Sequence, residues 1–361
     1  MEDNQINYDN LLQTKCDSCG GFMEYSPSDE QLLCVQCGSK VKLDLSQAEI
    51  EENDFEYWEE KSLEELETET TEIKEVKCKQ CGATTTLEPN VTSSKCAFCD
   101  TPIVINEAVI NRFWTPEYIL PFQIPKNSCD DIFNQWLGSR WFIPTQAKRL
   151  GVNKDLFKGV YMPFWTYDAH TTTSYIGERG EHEIEEYESN GETRTRVITE
   201  WYNTSGTVEV DFDDVIVAAS NTLPVHISSR LTNWDKENLV AYRKEFLAGF
   251  ITEIYSINFV DAFEFAKNIM DDEIISEIRS DIGGDEQKIN SHSTNYEDIK
   301  FKHLLLPIWI SSFKYKEKQY QYVINGRSGE VYGEYPKSIV KITALVLTII
   351  AVLVILYQIF N

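Results

Sequence analysis

Eight of the nine cysteines fall into two sets of four that share one spacing, C-x2-C-x14-C-x2-C. The first set comprises Cys16, Cys19, Cys34 and Cys37, and the second comprises Cys78, Cys81, Cys96 and Cys99. Two residues between a pair of thiols allow a tight turn, a knuckle, that aims both sulfurs at one point. Two knuckles joined by a short hairpin complete a tetrahedron of thiolates around Zn²⁺. The spacing therefore predicts two small structural zinc ribbons, one around each set.

Redox chemistry is the main alternative for paired cysteines. A redox Cys-x-x-Cys motif opens a helix, whereas the residues that follow these knuckles, "TTTLEP" and "KVKL", favour turns and strands. A closed four-thiolate site has no open position for a substrate, so we expect neither zinc ion to be catalytic. Each ribbon is too small to fold without its metal. The ninth cysteine, Cys129, lies at an expected helix start and is interpreted as structural.

The apolar segment "IVKITALVLTIIAVLVILYQIF" covers residues 339–360 and carries no charged side chain from Ile342 onward. A helix of this length spans roughly 30 Å, the thickness of a bilayer core. A buried core helix or an amphipathic surface helix is the alternative, but no face of this segment is polar. Lys337 and Lys341 precede the uncharged run, and the positive-inside tendency then places residues 1–338 in the cytoplasm. The sequence predicts a tail-anchored, single-pass protein of the cell membrane.

The formal net charge of −26 argues against contact with a phosphate backbone, which supplies most non-specific nucleic-acid affinity. Lysines and arginines are scattered, and no basic patch offsets the acidic balance. The N-terminus, "MEDNQINYDN", has neither the basic nor the apolar region of a secretory signal. Cysteines of a cytoplasmic protein stay reduced, so we expect the paired cysteines to bind metal rather than form disulfides.

These features divide the chain into five parts. We expect zinc ribbon 1 at residues 1–45, an acidic spacer at 46–75, zinc ribbon 2 at 76–105, a β-rich α+β cytoplasmic domain at 106–336, and a transmembrane helix at 339–360. The expected fold class is therefore multidomain, with two four-cysteine ribbons, a β-rich α+β domain and one C-terminal transmembrane helix.

Strand patterns dominate the predicted α+β domain. Asn190-Gly191 separates two alternating runs and predicts a hairpin with a two-residue turn. The segments "MPFW" at 162–165 and "LPIW" at 306–309 share one pattern and predict equivalent core strands. Their tryptophans, Trp165 and Trp309, are expected to anchor the core.

Two longer stretches of the same domain have helical periodicity. Apolar residues recur at helical spacing between Leu239 and Ile254 and predict one helix there. A second helix is predicted from about Phe259 to a stop at Gly283-Gly284, because glycine ends helices readily.

Catalytic motifs are missing from the sequence. It contains no G-x-x-x-x-G-K-[ST] phosphate loop, no H-E-x-x-H and no G-x-S-x-G. Asp168 and His170 lie two apart on a probable strand and would share a face, but a polar pair of this kind is usually solvated. We therefore expect no enzyme activity and no catalytic residues.

The combination resembles a bacterial family of membrane-anchored double zinc-ribbon proteins, often described as TFIIB-type zinc ribbon-containing or primosomal protein N′-like. The resemblance covers nearly the whole chain. It is carried by the two cysteine sets, "LPFQI", "GVYMPFWTYDA", "SYIGERGEHE", "TEWYNTSGTVEVDFDDVIVAAS", "LAGF", "LLLPIW", "VINGRSGEVYGEYP" and the apolar tail. A helicase motor needs a phosphate loop, which this sequence lacks.

The resemblance implies a membrane platform that recruits protein partners beside a phage-shock type membrane-stress system. The expected function is therefore a membrane-anchored scaffold that docks proteins through its zinc ribbons. The alternative is a membrane-tethered nucleic-acid-binding protein related to replication or transcription. The sequence leaves open the identity of the partners, the oligomeric state and whether the β-rich domain binds a ligand.

Overall fold

The computed structural model describes residues 15–43, 45, 50–61, 70–86, 93–99, 101–104, 109–150, 157–189, 192–316 and 318–360. The strands in these ranges are β1 (Met23–Ser26), β2 (Gln31–Cys34), β3 (Lys40–Lys42), β4 (Asn53–Asp54), β5 (Thr70–Lys77), β6 (Thr84–Thr86), β7 (Ser93–Lys95), β8 (Pro102–Val104), β9 (Val109–Trp114), β10 (Tyr118–Ile119), β11 (Lys158–Ser189), β12 (Glu192–Ala218), β13 (Val240–Ala241), β14 (Ile251–Thr252), β15 (Glu286–Tyr315), β16 (Lys318–Asn325) and β17 (Val331–Gly333). The helices are α1 (Phe55–Glu59), α2 (Lys126–Ser139), α3 (Thr145–Leu150), α4 (Val225–Ser228), α5 (Phe259–Ile282) and α6 (Ile339–Phe360), with 3₁₀ turns at Lys236–Asn238 and Lys244–Leu247.

Three long antiparallel strands dominate the central sheet in the order β12, β11, β15, with β12 at one edge. β10 and β16 also pair with the second half of β15, from Leu304 to Tyr315, which widens the sheet there. β11 and β12 pair from Phe164–Ala218 to Ser189–Glu192, so the predicted hairpin is confirmed. Its turn residues, Asn190 and Gly191, lie outside the described residues.

The "MPFW" and "LPIW" segments pair with each other in this sheet. Met162 lies opposite Leu306, and these are equivalent positions of the two segments, so a local two-fold relation runs through the pair. Both tryptophans are buried, and each indole N–H donates to a loop carbonyl 2.9 Å away: Trp165 to Ile257 and Trp309 to Ile124. Their predicted role as core anchors is confirmed.

α5 packs along one face of the long strands. It begins after Asn258, whose side chain accepts a hydrogen bond from the Asp261 N–H at 2.8 Å and caps the helix. It ends at Ile282, and Gly283 follows with a φ of +66°, as predicted. The buried face comprises Phe259, Ala262, Phe263, Ala266, Met270, Ile274, Ile278 and Ile282. This spacing of three and four residues explains the amphipathic pattern.

The helix predicted between Leu239 and Ile254 is wrong. The segment instead forms β13, a 3₁₀ turn and β14, and these short strands pair with β10 and β11. Gly249 lies in its middle with a φ of +86°, which a continuous helix does not allow. Leu239, Phe246 and Ile254 are buried, and Tyr242 and Phe250 are half-buried, but separate short elements rather than one helix bury them.

Part of the predicted acidic spacer packs on the sheet. β4 pairs with β15 at Lys300 and Phe301, and α1 follows it directly. Phe55 is buried against Phe263, Phe259 and Phe301. Residues 46–49 and 62–69 of the spacer lie outside the described residues. The described part therefore contributes apolar contacts to the core of the domain.

α6 is long and apolar enough to span a membrane, and none of its residues is buried by the rest of the chain. The structure thus contains two four-cysteine groups near the N-terminus, a β-rich domain and one C-terminal apolar helix. This confirms the predicted fold class.

Candidate metal centres

All eight predicted cysteines lie in two compact groups, and within each group the four sulfurs lie within 4.8 Å of one another. The Sγ–Sγ distance is 3.6 Å for the pairs Cys16–Cys37, Cys19–Cys34, Cys78–Cys99 and Cys81–Cys96. Metal–sulfur bonds of about 2.3 Å at tetrahedral angles require sulfurs about 3.8 Å apart. Each group could therefore hold one metal ion without a change of backbone.

The four knuckles share one backbone hydrogen bond. The N–H of the leading cysteine donates to the carbonyl five residues later in the pairs Cys16–Gly21, Cys34–Ser39, Cys78–Ala83 and Cys96–Thr101, at 2.7 to 2.9 Å. In the second knuckle of ribbon 1, Gly38 lies four residues after Cys34 and has a left-handed backbone with a φ of +73°. Glycine adopts this conformation without strain. The knuckle glycines in the sequence are therefore explained by the turn geometry.

A hydroxyl group lies beside the last cysteine of each set. Ser39 Oγ is 3.1 Å from Cys37 Sγ, and Thr101 Oγ1 is 3.2 Å from Cys99 Sγ. The Ser39 contacts lower the pKa of the Cys37 thiol to about 6. Burial raises the pKa of Cys99, but the Thr101 contacts outweigh it and lower that pKa to about 7. Both hydroxyls favour the thiolate, which is the form that binds metal. Sequence reasoning missed them, although Ser or Thr two residues after the last cysteine recurs in both sets.

Ribbon 1 is attached to the main domain through β1. The Tyr25 N–H donates to the Ala248 carbonyl at 2.9 Å, and the Tyr25 hydroxyl lies 3.5 Å from the Phe122 carbonyl. Met23 and Leu32 are buried in the same apolar cluster as Phe122. The ribbon is thus part of the folded body rather than a free module.

Ribbon 2 is attached by different contacts. Lys158 Nζ donates to the Cys96 carbonyl at 2.9 Å, and the Ile254 N–H donates to the Thr84 carbonyl at 3.0 Å. Ala97 and Phe98, the two residues inside its second knuckle, are buried in the core. This knuckle therefore points into the domain.

The corresponding knuckle of ribbon 1 points outward. Val35, which corresponds to Ala97, is 55% exposed, and Phe22 is 45% exposed. The Val35 N–H donates to the Phe22 carbonyl at 3.2 Å, which holds the two residues side by side. Cys19 and Cys37 are exposed next to them. We name the pair Phe22 and Val35 the ribbon 1 tip; it is an apolar surface beside the first four-cysteine group.

Besides the two cysteine groups, one group of acidic side chains could hold a metal ion; it comprises Asp168, Asp213 and Asp214. Lys302 Nζ lies 2.6 Å from Asp214 Oδ1 and 2.8 Å from Glu52 Oε1, so an ammonium already neutralises these carboxylates. Burial and the neighbouring Glu52 raise the pKa of Asp168 to about 7. We interpret the group as a buried charge cluster that ties the segment before β4 to the sheet.

Asp168 and His170, which the sequence places two apart on one strand, do not contact the same groups. The strand register shifts between Tyr167 and Ala169. Asp168 accepts a hydrogen bond from the Asp214 N–H, while His170 Nδ1 lies 2.6 Å from Asp211. The two side chains therefore have separate partners.

Comparison with curated proteins finds a similarity to YdjG, an uncharacterized protein of Bacillus subtilis strain 168. The two are 24% identical over 230 residues, which covers 63% of this chain and 66% of YdjG, just under two thirds of its length. No family model matches the chain, and no solved structure matches it. Membership of the double zinc-ribbon family therefore stays a prediction.

Proposed function

We propose that each four-cysteine group holds one Zn²⁺ ion in a structural role. Four thiolate donors at tetrahedral spacing suit this ion, and the closed donor set leaves no position for a substrate. Metal analysis of the purified chain should give about two zinc ions per molecule. A value near zero in reduced protein would rule the proposal out.

We propose further that the protein is a membrane-anchored scaffold that docks a protein partner on the ribbon 1 tip. The observation that carries this proposal is the exposed position of Phe22 and Val35 beside a rigid metal centre. Exposed apolar residues fixed on a rigid support lose little side-chain freedom on binding, which favours a protein contact. Ribbon 2 has no such tip, because Ala97 and Phe98 are buried.

α6 supplies the anchor in this proposal. Lys337 and Lys341 stand at its start, and the positive-inside tendency supports a cytoplasmic position for the ribbons. The reducing cytoplasm also keeps the eight metal-binding thiols free of disulfides. The resemblance described above makes proteins of a membrane-stress system the partners that we propose to look for.

The test compares two single substitutions of exposed valines. Val35→Glu places a charge on the ribbon 1 tip, and Val225→Glu places one on the exposed start of α4 as the matched control. In-cell crosslinking and affinity capture should lose a defined set of partners with Val35→Glu and keep it with Val225→Glu. Both variants should retain two zinc ions per molecule. This control would show that both ribbons still fold in the variants.

Two results would contradict the proposal. One is an unchanged partner set in the Val35→Glu variant. The other is tight binding of the full chain to DNA or RNA that weakens steeply with salt, because that dependence marks phosphate contact. The second result would favour a membrane-tethered nucleic-acid-binding protein.

A further inference from the structure

The loop between α2 and α3, residues 140–144, holds the start of α6; we name it the anchor loop. Lys341 Nζ donates to the Trp141 carbonyl at 3.0 Å and to the Ile143 carbonyl at 2.8 Å. The Ser338 N–H donates to the Phe142 carbonyl at 2.7 Å. Three hydrogen bonds thus fix the first turn of α6 against one short loop of the main domain.

Trp141 is the exposed member of the chain's eight tryptophans, all of which lie in the described ranges. Its side chain is 59% exposed, while Trp165, Trp234 and Trp309 are buried in the core. The Phe142 ring lies 5.3 Å from the Trp141 ring, so the two aromatic residues form one small surface on the loop. In water this surface costs free energy, because more than half of the large indole side chain stays in contact with solvent.

The length of α6 sets the height of this loop relative to a membrane. The uncharged run from Ile342 to Phe360 is about 28 Å long at a rise of about 1.5 Å per residue. A hydrocarbon core is about 30 Å thick, so the whole run is needed to cross it. The edge of the core then falls at the first turn of α6, where Lys341 contacts the anchor loop. Trp141 is thereby placed at the membrane–water interface, the level at which tryptophan is enriched.

Charge around the anchor loop agrees with this placement. Arg140 lies over the rings of Trp136 and Tyr335, at 5.2 and 5.7 Å from their centroids. Lys337 and Lys341 lie on the segment that enters α6. All three cations lie on the anchor loop or on the segment that enters α6, in a chain of net charge −26. The placement above puts them near the level of lipid phosphates. A cationic rim around an aromatic tip is typical of a surface that rests on lipid headgroups.

We propose that the anchor loop inserts Trp141 into the boundary between headgroups and acyl chains of the bilayer that α6 crosses. The insertion, together with the three hydrogen bonds, holds the domain in one orientation on the membrane instead of leaving it free to swing about α6. The inference rests on the proposed membrane anchoring and adds a second contact with lipid.

Depth-dependent fluorescence quenching tests the inference on the full chain. The protein is reconstituted into phosphatidylcholine vesicles that carry a nitroxide on the headgroup, on the upper acyl chain or at the chain end. The upper-chain nitroxide should quench most strongly and remove about one eighth of the emission, the share of one tryptophan in eight. Trp141→Phe should abolish this quenching, because phenylalanine keeps the apolar contact but not the indole emission. Trp201→Phe, on the β11–β12 hairpin, is the matched control and should leave the quenching in place.

Each other outcome overturns the inference. Quenching that persists in Trp141→Phe assigns the contact to another tryptophan. Quenching by the headgroup nitroxide alone, or none in protein that floats with the vesicles, shows that Trp141 stays in water although the anchor holds. A chain that does not float with vesicles defeats the anchoring proposal and this inference together.

Discussion

Replacing Glu253 by glutamine should stabilise the protein above neutral pH and have little effect in mild acid. Glu253 lies just after β14 and is 2% exposed. Its Oε1 accepts hydrogen bonds from the Ser220 hydroxyl at 2.6 Å and from the Thr222 hydroxyl. Among the described residues no hydrogen-bond partner reaches its Oε2 and no cation pairs with it. Burial without a counter-charge raises the pKa of this carboxyl to about 7.

A pKa raised in the folded state stabilises the fold only while the group stays protonated. That contribution is complete below the unfolded pKa of about 4.5 and is lost as the pH rises through about 7. The two values imply a loss of about 2–3 kcal/mol in the free energy of unfolding between pH 5 and pH 8. Glutamine keeps an oxygen for the two hydroxyls and has no charge to bury, so the variant should not show this loss.

The assay is thermal unfolding of wild type and Glu253→Gln in detergent at pH 5 and pH 8. The difference between the two proteins should grow by roughly 3–6 °C from the lower to the higher pH. Using the difference removes the contribution of every other titrating group, including the metal-binding thiols. Glu183→Gln, at an exposed position on β11, is the control and should match wild type at both pH values. A Glu253→Gln curve parallel to wild type at both pH values would refute the reasoning.

Three further predictions concern the ribbons, the core and α6. Cys99→Ser should lower the melting temperature more than Cys37→Ser, because the knuckle of Cys99 is packed in the core while Cys37 is exposed; both should lose about one zinc ion by metal analysis. Ile274→Ala, on the buried face of α5, should cost about 2–5 kcal/mol in urea unfolding, and Ile269→Ala, half exposed on the same helix, should cost less than about 1 kcal/mol. Alkaline carbonate should leave the full chain in the membrane fraction; its release would contradict the anchor.

The sequence predicted those parts of the structure that local chemistry decides. Cysteine spacing predicted that each set of four would cluster, and it does, because the x2 and x14 intervals are themselves geometric constraints. The strands around Asn190-Gly191 and the limits of α5 followed from turn and capping residues. The helix predicted from Leu239 to Ile254 was wrong, because periodicity indicates which residues turn inward but not whether a helix or a series of short elements carries them.

Contacts between distant segments could not be predicted in the same way. The pairing of β4 with β15, and the neutralisation of Glu52 by Lys302, join residues about 250 positions apart. The exposure of Val35 against the burial of Ala97 depends on how each ribbon docks. No single-sequence pattern records either fact.

The two ribbons show that one ligand spacing can serve two purposes. The spacing fixes the fold of each knuckle, as the common hydrogen bond from the leading cysteine demonstrates. The contacts that each ribbon makes with the main domain then set which way its second knuckle faces. Ala97 and Phe98 are apolar and lie in the core, so the second knuckle of ribbon 2 packs into the domain. Val35 and Gln36 stand in their place in ribbon 1, where β1 makes the core contact and the knuckle is left facing solvent. The duplicated four-cysteine pattern therefore yields one knuckle that is part of the core and one that is exposed.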